Sequence, residues 1–241
     1  LPHAISNRLA AQGLEEHLPL EMEDRLFKNA PERVSSSFAH RLSFLHTSPA
    51  AKAMVSGFIG EGGSFSEISR LTSKELPIFL RLASVAPEHA LAAVERFAAG
   101  GNLGKLHQFE IEKIAQLVQS IAYDANLFDR CVMTLLALRP LQAKDRNSGE
   151  WKLEQLRALF QPYYSGTLAT GAQRAPHIKR LLASDDHEEL KAGLTLLAEA
   201  LKVRNFLHTS PLQFGARKRG VGWWPKSIED HRAWHLLFIG I

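Results

Sequence analysis

The chain has 241 residues, of which 45% are hydrophobic and 22% are charged, and its formal net charge is +4. This apolar share is ordinary for a globular protein, so intrinsic disorder is excluded as its general state. The one cysteine, Cys131, cannot form an internal disulfide, which excludes a disulfide-stapled secreted fold and favours a reducing compartment. No apolar run approaches the roughly 20 residues of a membrane-spanning helix. We therefore predict a cytoplasmic protein without a membrane partner.

The two ends of the sequence indicate a piece of a longer polypeptide. The chain starts at Leu1 without a methionine or the basic-then-apolar leader of a signal peptide. It ends in the apolar run Phe238 to Ile241, which a free terminus rarely carries. We expect further domains in the parent protein, and processing or trimming is the alternative explanation.

The apolar residues recur at spacings of three and four, which is the period of a packed α-helix. No segment alternates apolar and polar residues between turn signals, so no strand is predicted. The predicted fold class is all-α. The apolar stripes lie in Leu76–Ala86, Ala90–Ala98, Ile111–Ala122, Leu127–Leu138, Leu153–Phe160 and Leu190–Leu201.

Prolines and short polar residues predict where helices begin. A proline in a first helical turn loses no hydrogen bond, because the N–H group there has no intrahelical partner. Ser48 is predicted as an N-cap, and Asp185 with Glu188 resembles a capping box. The prolines predicted at helix starts are Pro31, Pro49 and Pro87.

A polar stretch, Gln142 to Ser148, is bracketed by Pro140 and Gly149 and is predicted as an exposed loop. It is the best candidate for a boundary between two parts of the chain. We therefore predict that the helical domain over residues 1–241 divides into an N-terminal lobe, 1–141, and a C-terminal lobe, 149–241.

Weak self-similarity indicates helical repeats. A shift of 39 residues aligns the helical pattern around Phe79 with that around Val118, which is typical of helical-hairpin repeats of roughly 40 residues. The hexapeptide Phe44–Pro49 recurs unchanged as Phe206–Pro211, 162 residues later. We predict an array of helical hairpins, either a HEAT- or TPR-like α-solenoid or an irregular helical bundle.

The glycine-rich stretch from Gly100 to Leu106 is similar to a phosphate-binding loop but differs in detail. Gly100 and Gly104 are one residue too close, Leu106 lacks the hydroxyl that reaches magnesium, and a helix precedes the loop instead of a strand. We predict that Gly100, Gly101 and Gly104 end a helix. No nucleotide site and no cofactor are predicted.

Candidate catalytic and metal-binding residues are sparse. His231 and His235 lie four apart on a predicted helix and could face one zinc ion, but two ligands do not define a site. The neighbouring Trp234 and Leu237 favour a helix that packs by its aromatic face. Cys131 stands in an apolar stripe, which is typical of a buried structural thiol. We therefore predict no metal site and no catalytic residue.

The strongest local signal is a basic segment from Leu201 to Ile228 that contains six basic and no acidic residues. Basic residues interleaved with aromatic ones can hold phosphates and stack bases. The alternative is a solvated loop whose tryptophans seat a last helix capped by Ser227 with Asp230. The basic residues are Lys202, Arg204, Arg217, Lys218, Arg219 and Lys226, and the aromatic ones are Phe206, Phe214, Trp223 and Trp224. The candidate contact residues for a partner or a nucleic acid are Arg217, Lys218, Arg219, Trp223, Trp224 and Lys226.

Three groups of residues carry a resemblance to a known family. They are Leu1–Ala10; Trp151 with Leu159–Phe160 and Tyr164–Thr167; and Gly215–Arg219 with Gly222–Ser227 and Trp234. Together they resemble the helical region that follows the NTPase core in large bacterial STAND-type (signal-transducing, multidomain) ATPases, many of which are linked to antiphage defence. The resemblance implies a helical array that senses a ligand, commonly a phage protein, and triggers oligomerisation of the NTPase. It also implies that the ATPase and any effector lie elsewhere in the parent protein, because none of the family's nucleotide-binding residues has a counterpart here.

These observations leave three hypotheses about function and a fourth alternative, a structural role only. The first is a non-catalytic recognition module, without enzyme activity of its own, that binds a protein ligand within a parent protein that oligomerises. The second is a nucleic-acid-binding helical-repeat module that uses residues 202–226. The third is an all-α hydrolase, which would need histidines and carboxylates converging in a concave pocket. A plain structural scaffold is the bland alternative.

Overall fold

The structure is a computed structural model that describes residues 10–101, 106–141, 153–206 and 213–241. Within these ranges every regular element is helical, apart from one isolated β-bridge between Phe214 and Arg217. The predicted all-α class is therefore confirmed. Contacts divide the chain into two compact units. Unit 1 comprises Leu1–Leu117 and Gln213–Lys218, and unit 2 comprises Val118–Leu212 and Arg219–Ile241.

Unit 1 is built from short helices around an aromatic core. The chain is helical over residues 10–15, here α1. Helix α3 (Glu32–Leu42) packs on α5 (Leu76–Leu82), and α4 (Pro49–Ile59) packs on both α2 (Pro19–Glu23) and α6 (Pro87–Gly100). Phe27 meets Phe58 and Phe65 edge-on, with ring centroids 5.1 and 5.0 Å apart, and each buried ring contributes roughly 1.5–3 kcal/mol. The further elements are α2 Pro19–Glu23, a π-helical turn Asp24–Lys28, α3 Glu32–Leu42, α4 Pro49–Ile59, a 3₁₀ turn Ile68–Arg70, α5 Leu76–Leu82, α6 Pro87–Gly100 and α7 Gln108–Ile121, which ends in unit 2.

Unit 2 centres on a helical hairpin of α10 (Gly171–Leu182) with α11 (His187–Ala200). Helix α9 (Glu154–Ala158) packs on α8 (Phe128–Leu138) and α11, and α12 (Ile228–Ile239) packs on both helices of the hairpin. Phe128, Phe160 and Phe238 are buried at the centre of this unit, as is the predicted structural thiol of Cys131. The elements are α8 Phe128–Leu138, a 3₁₀ turn Arg139–Leu141, α9 Glu154–Ala158, α10 Gly171–Leu182, α11 His187–Ala200 and α12 Ile228–Ile239.

Most of the predicted helix ends that fall on described residues are confirmed. Pro49 and Pro87 are the first residues of α4 and α6, and the Ser48 hydroxyl accepts a hydrogen bond from the Ala51 amide. Pro31 stands one residue outside α3, as its N-cap. Gly101 ends α6 in the left-handed conformation, with φ of +61°, where glycine avoids the steric cost of a Cβ.

Several predictions fall outside the described residues. They are the loop and lobe boundary at Gln142–Gly149, the C-cap role of Gly104, the hexapeptide copy beyond Phe206, and Trp151 and Leu1–Leu9 of the family resemblance. The lobe boundary and the repeat array therefore stay predictions. None of the helices in the described parts of the chain is long and apolar enough to cross a membrane.

The cap of α11 lies one residue later than predicted. Asp186, not Asp185, is the N-cap, and its carboxylate accepts hydrogen bonds from the amides of Glu188 and Glu189 at 2.8 and 3.0 Å. A carboxylate must sit in the N-cap position itself to reach the amides two and three residues on, and α11 begins at His187. The prediction from sequence took the correct residue type and the wrong register.

We expect Asp186→Ala to lower the midpoint of thermal unfolding at pH 7 and Asp185→Ala to leave it nearly unchanged. The amides of Glu189 and Glu188 hold the pKa of Asp186 below its ordinary value, so the cap is fully stabilising above about pH 3.9. That stabilisation is lost as the pH falls through the lowered pKa of the folded state. Thermal unfolding at pH 7 and at acidic pH tests both points, and equal midpoints for the two variants at pH 7 would contradict the assignment.

A candidate recognition surface in unit 2

The first part of the basic segment belongs to unit 1 and faces its own chain. The Arg217 guanidinium donates from Nε to the Ser84 carbonyl at 2.6 Å. The amide of the preceding residue, Ala216, donates to the Ser43 carbonyl at 3.2 Å. Lys218 is exposed. Arg217 thus holds the segment Gln213–Lys218 against the rest of unit 1.

Arg219 is also engaged by its own unit, which is unit 2. Its guanidinium donates to the Ser120 carbonyl and lies over the Tyr123 ring, with 5.0 Å between the guanidinium carbon and the ring centroid. The Gly220 amide donates to the Tyr123 hydroxyl at 3.0 Å. The structure therefore does not bring Arg217, Lys218 and Arg219 together as three outward-pointing cations.

The two adjacent tryptophans have different environments. Trp223 stacks on Trp234 of α12, with centroids 5.3 Å apart and an interplanar angle of 25°. Its amide donates to the Thr167 carbonyl at 2.6 Å. Trp224 is 41% exposed and stacks on Tyr163 at 6.3 Å. Trp223 thus packs on the last helix, as the solvated-loop alternative predicts for both tryptophans. Trp224 instead presents its ring to solvent.

Tyr163 is the centre of a half-exposed group of rings that sequence reasoning missed. Its ring centroid lies 5.1 Å from Phe206 and 6.0 Å from His231. Tyr164, the next residue, is 47% exposed and has a left-handed backbone with φ of +55°. We call these side chains the aromatic surface: Tyr163, Tyr164, Phe206, Trp224 and His231. No local periodicity marks it, because its members come from three separate loops and from α12.

A fully buried arginine supports the loop that carries both tyrosines. Arg174 of α10 donates to the carbonyls of Gln161 at 2.7 Å and Ala169 at 2.8 Å, and to the Ser165 hydroxyl at 3.1 Å. Its guanidinium also lies over the Trp234 ring at 5.1 Å. These acceptors bracket Tyr163 and Tyr164, so Arg174 fixes the loop from within. A sequence signal exists, since Arg174 occupies a position of the buried stripe of α10.

Burial lowers the pKa of the Arg174 guanidinium to about 9. The group therefore remains protonated at neutral pH. Its positive charge is compensated by carbonyl dipoles and by two indole faces, since Trp223 lies on it as well at 6.0 Å. Charged donors give shorter and stronger hydrogen bonds than neutral ones, which suits a guanidinium that anchors backbone.

The remaining basic residues of the segment have mixed roles. Lys202 pairs with the buried carboxylate of Glu199 at 2.6 Å. Lys226 and Arg204 are exposed. The Lys226 amide donates to Asp230, which also forms the predicted capping box of α12 with Ser227. The predicted cap of the last helix is therefore confirmed.

His231 and His235 have their Nε2 atoms 3.3 Å apart and their ring centroids 4.5 Å apart. Burial, and then the charge of His231, lower the pKa of His235 from its ordinary value. Among the described residues, no group of three or more His, Cys, Asp or Glu side chains could hold a metal ion together.

Two further histidine pairs bear on the hydrolase hypothesis. In unit 1 the Ser56 hydroxyl lies 3.3 Å from His89 Nδ1. In unit 2, His177 Nε2 lies 2.7 Å from an Asp129 carboxylate oxygen. A nucleophilic site needs a nucleophile, a base and an orienting group in one place. Each of these pairs holds two of those members, and the pairs lie in different units.

Comparisons with protein-family models, with curated proteins and with solved structures give no match.

Proposed function

We propose that this chain is a non-catalytic recognition module that binds a protein ligand through the aromatic surface of unit 2. The single observation that carries the proposal is the exposure of Trp224, which stacks on Tyr163, together with that of the adjacent Tyr164. Tryptophan and tyrosine dominate the residues that contribute most to protein–protein binding energy. Rings of this kind offer a large contact area at a low cost in side-chain entropy.

The support beneath the aromatic surface favours recognition over a merely adhesive patch. Arg174 fixes the backbone on both sides of Tyr163 and Tyr164, and Trp223 and Trp234 pack on the guanidinium. A surface held in its binding conformation avoids the ordering cost that flexible loops pay on association. Trp224 is stacked on Tyr163 before any ligand arrives.

We further propose that the parent protein is a large STAND-type NTPase of antiphage defence, whose NTPase assembles when this module is occupied. The support for this step is the resemblance of the chain's helical sequence to that family. The mechanism would be differential binding, in which the ligand favours one arrangement of the parent protein and that preference is the signal. An immunoblot of source cells should show a product far larger than this chain, and a band at the size of 241 residues would contradict it.

A crosslinking experiment tests the recognition function. A photoreactive amino acid at position 164 of the parent protein should capture a protein ligand in cells in which that protein is active. Trp224→Ala should then weaken the purified ligand's binding by more than about tenfold, as expected for a central aromatic contact. Leu194→Ala is the matched control, because Leu194 is 55% exposed on α11 and lies outside the aromatic surface. The affinity of the Leu194→Ala variant for the ligand should differ from that of the wild type by less than about twofold.

Binding measurements with the same variants also test the alternative that the module binds nucleic acid. If Trp224 stacks bases, short single-stranded DNA or RNA should bind in place of a protein, with an affinity that falls steeply with salt. The exposed Lys226 is then the residue to replace, because alanine at Arg217 or Arg219 would also remove bonds to Ser84 or Ser120. Equal ligand binding by wild type and Trp224→Ala would overturn the proposed surface itself.

A further inference from the structure

The two imidazoles of α12 point their Nε2 atoms at each other. His231 and His235 are one helical turn apart, and their Nε2 atoms are separated by 3.3 Å. The ring of His231 is held from outside by Tyr163, whose centroid lies 6.0 Å away with an interplanar angle of 34°. Both rings are half-buried. The pair is therefore positioned by its surroundings as well as by its helix.

This separation agrees with the geometry of a bound metal ion. A zinc–nitrogen bond is about 2.0–2.1 Å long, and two such bonds at the tetrahedral angle place the nitrogens about 3.3–3.4 Å apart. An octahedral ion with similar bonds would need nitrogens about 3.0 Å apart. The observed pair thus needs little rearrangement to hold a tetrahedral ion between its rings.

Their spacing in the sequence alone does not define a site, but with their Nε2 atoms 3.3 Å apart we infer that His231 and His235 form a two-ligand binding site for one divalent transition-metal ion of the zinc class. Imidazole nitrogen is a preferred ligand of zinc, copper and nickel, whereas magnesium and calcium take oxygen ligands. No third His, Cys, Asp or Glu among the described residues completes the set. With these two ligands alone, a tetrahedral ion would leave two positions to water, one more than in a zinc site with three protein ligands.

Such an ion would also join the second turn of α12, which carries His235, to the aromatic surface. His231 belongs to that surface, and Trp234 and Phe238, on the same helix, are buried in unit 2. Binding to the folded chain alone stabilises it by mass action. The inference stands apart from the proposed function, because it requires no protein ligand.

Titration of the tag-free chain with Zn²⁺ alone, followed by calorimetry, tests the site. We expect one ion per chain, and we expect His231→Phe and His235→Leu each to weaken binding by at least about tenfold. Phenylalanine at 231 keeps a ring against Tyr163 but removes the ligand. His187→Ala is the matched control, since His187 is exposed at the start of α11 and the chain has 11 histidines that could bind metal weakly. Mg²⁺ should not bind.

Two further measurements use the wild-type chain only, so they do not depend on whether the substituted chains fold. Copper(II) bound at one equivalent should show two equivalent nitrogens in its electron paramagnetic resonance spectrum. Zn²⁺ should protect His231 and His235 from acylation by diethylpyrocarbonate, read by peptide mass spectrometry, while His187 stays reactive. The inference is overturned if Zn²⁺ does not bind, if both variants bind it as wild type does, or if the two histidines remain equally reactive with the ion present. A hydrogen-bonded histidine pair without metal would give that last result.

Discussion

Arg174→Met should destabilise unit 2 by about 3–5 kcal/mol, the largest effect that we expect of a single substitution in this chain. The methionine fills the space but removes the buried guanidinium that donates to the Gln161 and Ala169 carbonyls and to the Ser165 hydroxyl. Each buried polar group that loses its partner costs about 1–3 kcal/mol. The face of Trp234 also loses the cation that lies 5.1 Å above it.

Arg180→Met is the matched control for this prediction. Arg180 lies on the same helix, and its guanidinium faces a partly exposed carboxylate of Glu189 at 3.4 Å. Exposed ion pairs of this kind contribute about 0–1 kcal/mol. Urea unfolding followed by tryptophan fluorescence would measure both variants, since Trp223 and Trp234 report on the neighbourhood of Arg174. A free energy of unfolding that differs by less than about 1 kcal/mol between the two variants would contradict the anchoring role.

Substitutions of Arg174 also connect the stability of unit 2 to the proposed function. Because the acceptors of Arg174 bracket Tyr163 and Tyr164, a variant that still folds should present these rings in several conformations. We therefore expect Arg174→Lys, which keeps the charge, to weaken ligand binding even where the helices persist. Lysine offers a compact ammonium that cannot reach three acceptors with one rigid fork or stack a planar group on an indole face.

Helix positions could be predicted because their signals are local. The predicted stripes Ala90–Ala98 and Leu127–Leu138 lie along α6 and α8, and the stripe Leu76–Ala86 begins with α5 and continues four residues beyond it. Such stripes arise because apolar residues that pack on one side of a helix must recur at three and four. The cap at Ser227 was found for the same reason, and the cap of α11 was missed by one residue, because Asp185 and Asp186 present the same chemistry to a sequence reader. What decides between them is where the helix begins.

The candidate site could be predicted only in part, because its contacts are long-range. Trp223 and Trp224 are adjacent in sequence, yet one packs on Trp234 and the other is exposed. No helical period applies to a loop, so nothing local separates the two. Similarly, the positive charge of Arg217 is compatible both with a phosphate contact and with a bond to the protein's own backbone. Only the fold shows that its guanidinium donates to the Ser84 carbonyl.

Gly215→Ala should release the segment Gln213–Lys218 from unit 1. Gly215 has φ of +59°, and a Cβ built there would lie 2.5 Å from both the Ser43 carbonyl oxygen and the Ser84 hydroxyl. The Ala216 amide and the Arg217 guanidinium bond to those same two residues. An alanine therefore cannot enter without displacing the contacts that seat the segment, at a cost of about 3 kcal/mol from steric overlap and backbone strain together.

Gly101→Ala separates these two causes. Gly101 has nearly the same backbone, with φ of +61°, but nothing lies within 4 Å of the added Cβ, so only the left-handed strain of about 1 kcal/mol remains. Hydrogen exchange at the Ala216 amide would measure the release, because that amide opens when the segment leaves Ser43. We expect exchange about a hundredfold faster in Gly215→Ala and unchanged in Gly101→Ala. If the two variants exchange alike, position 215 accommodates an alanine without displacing the contacts to Ser43 and Ser84, and the predicted release of the segment is wrong.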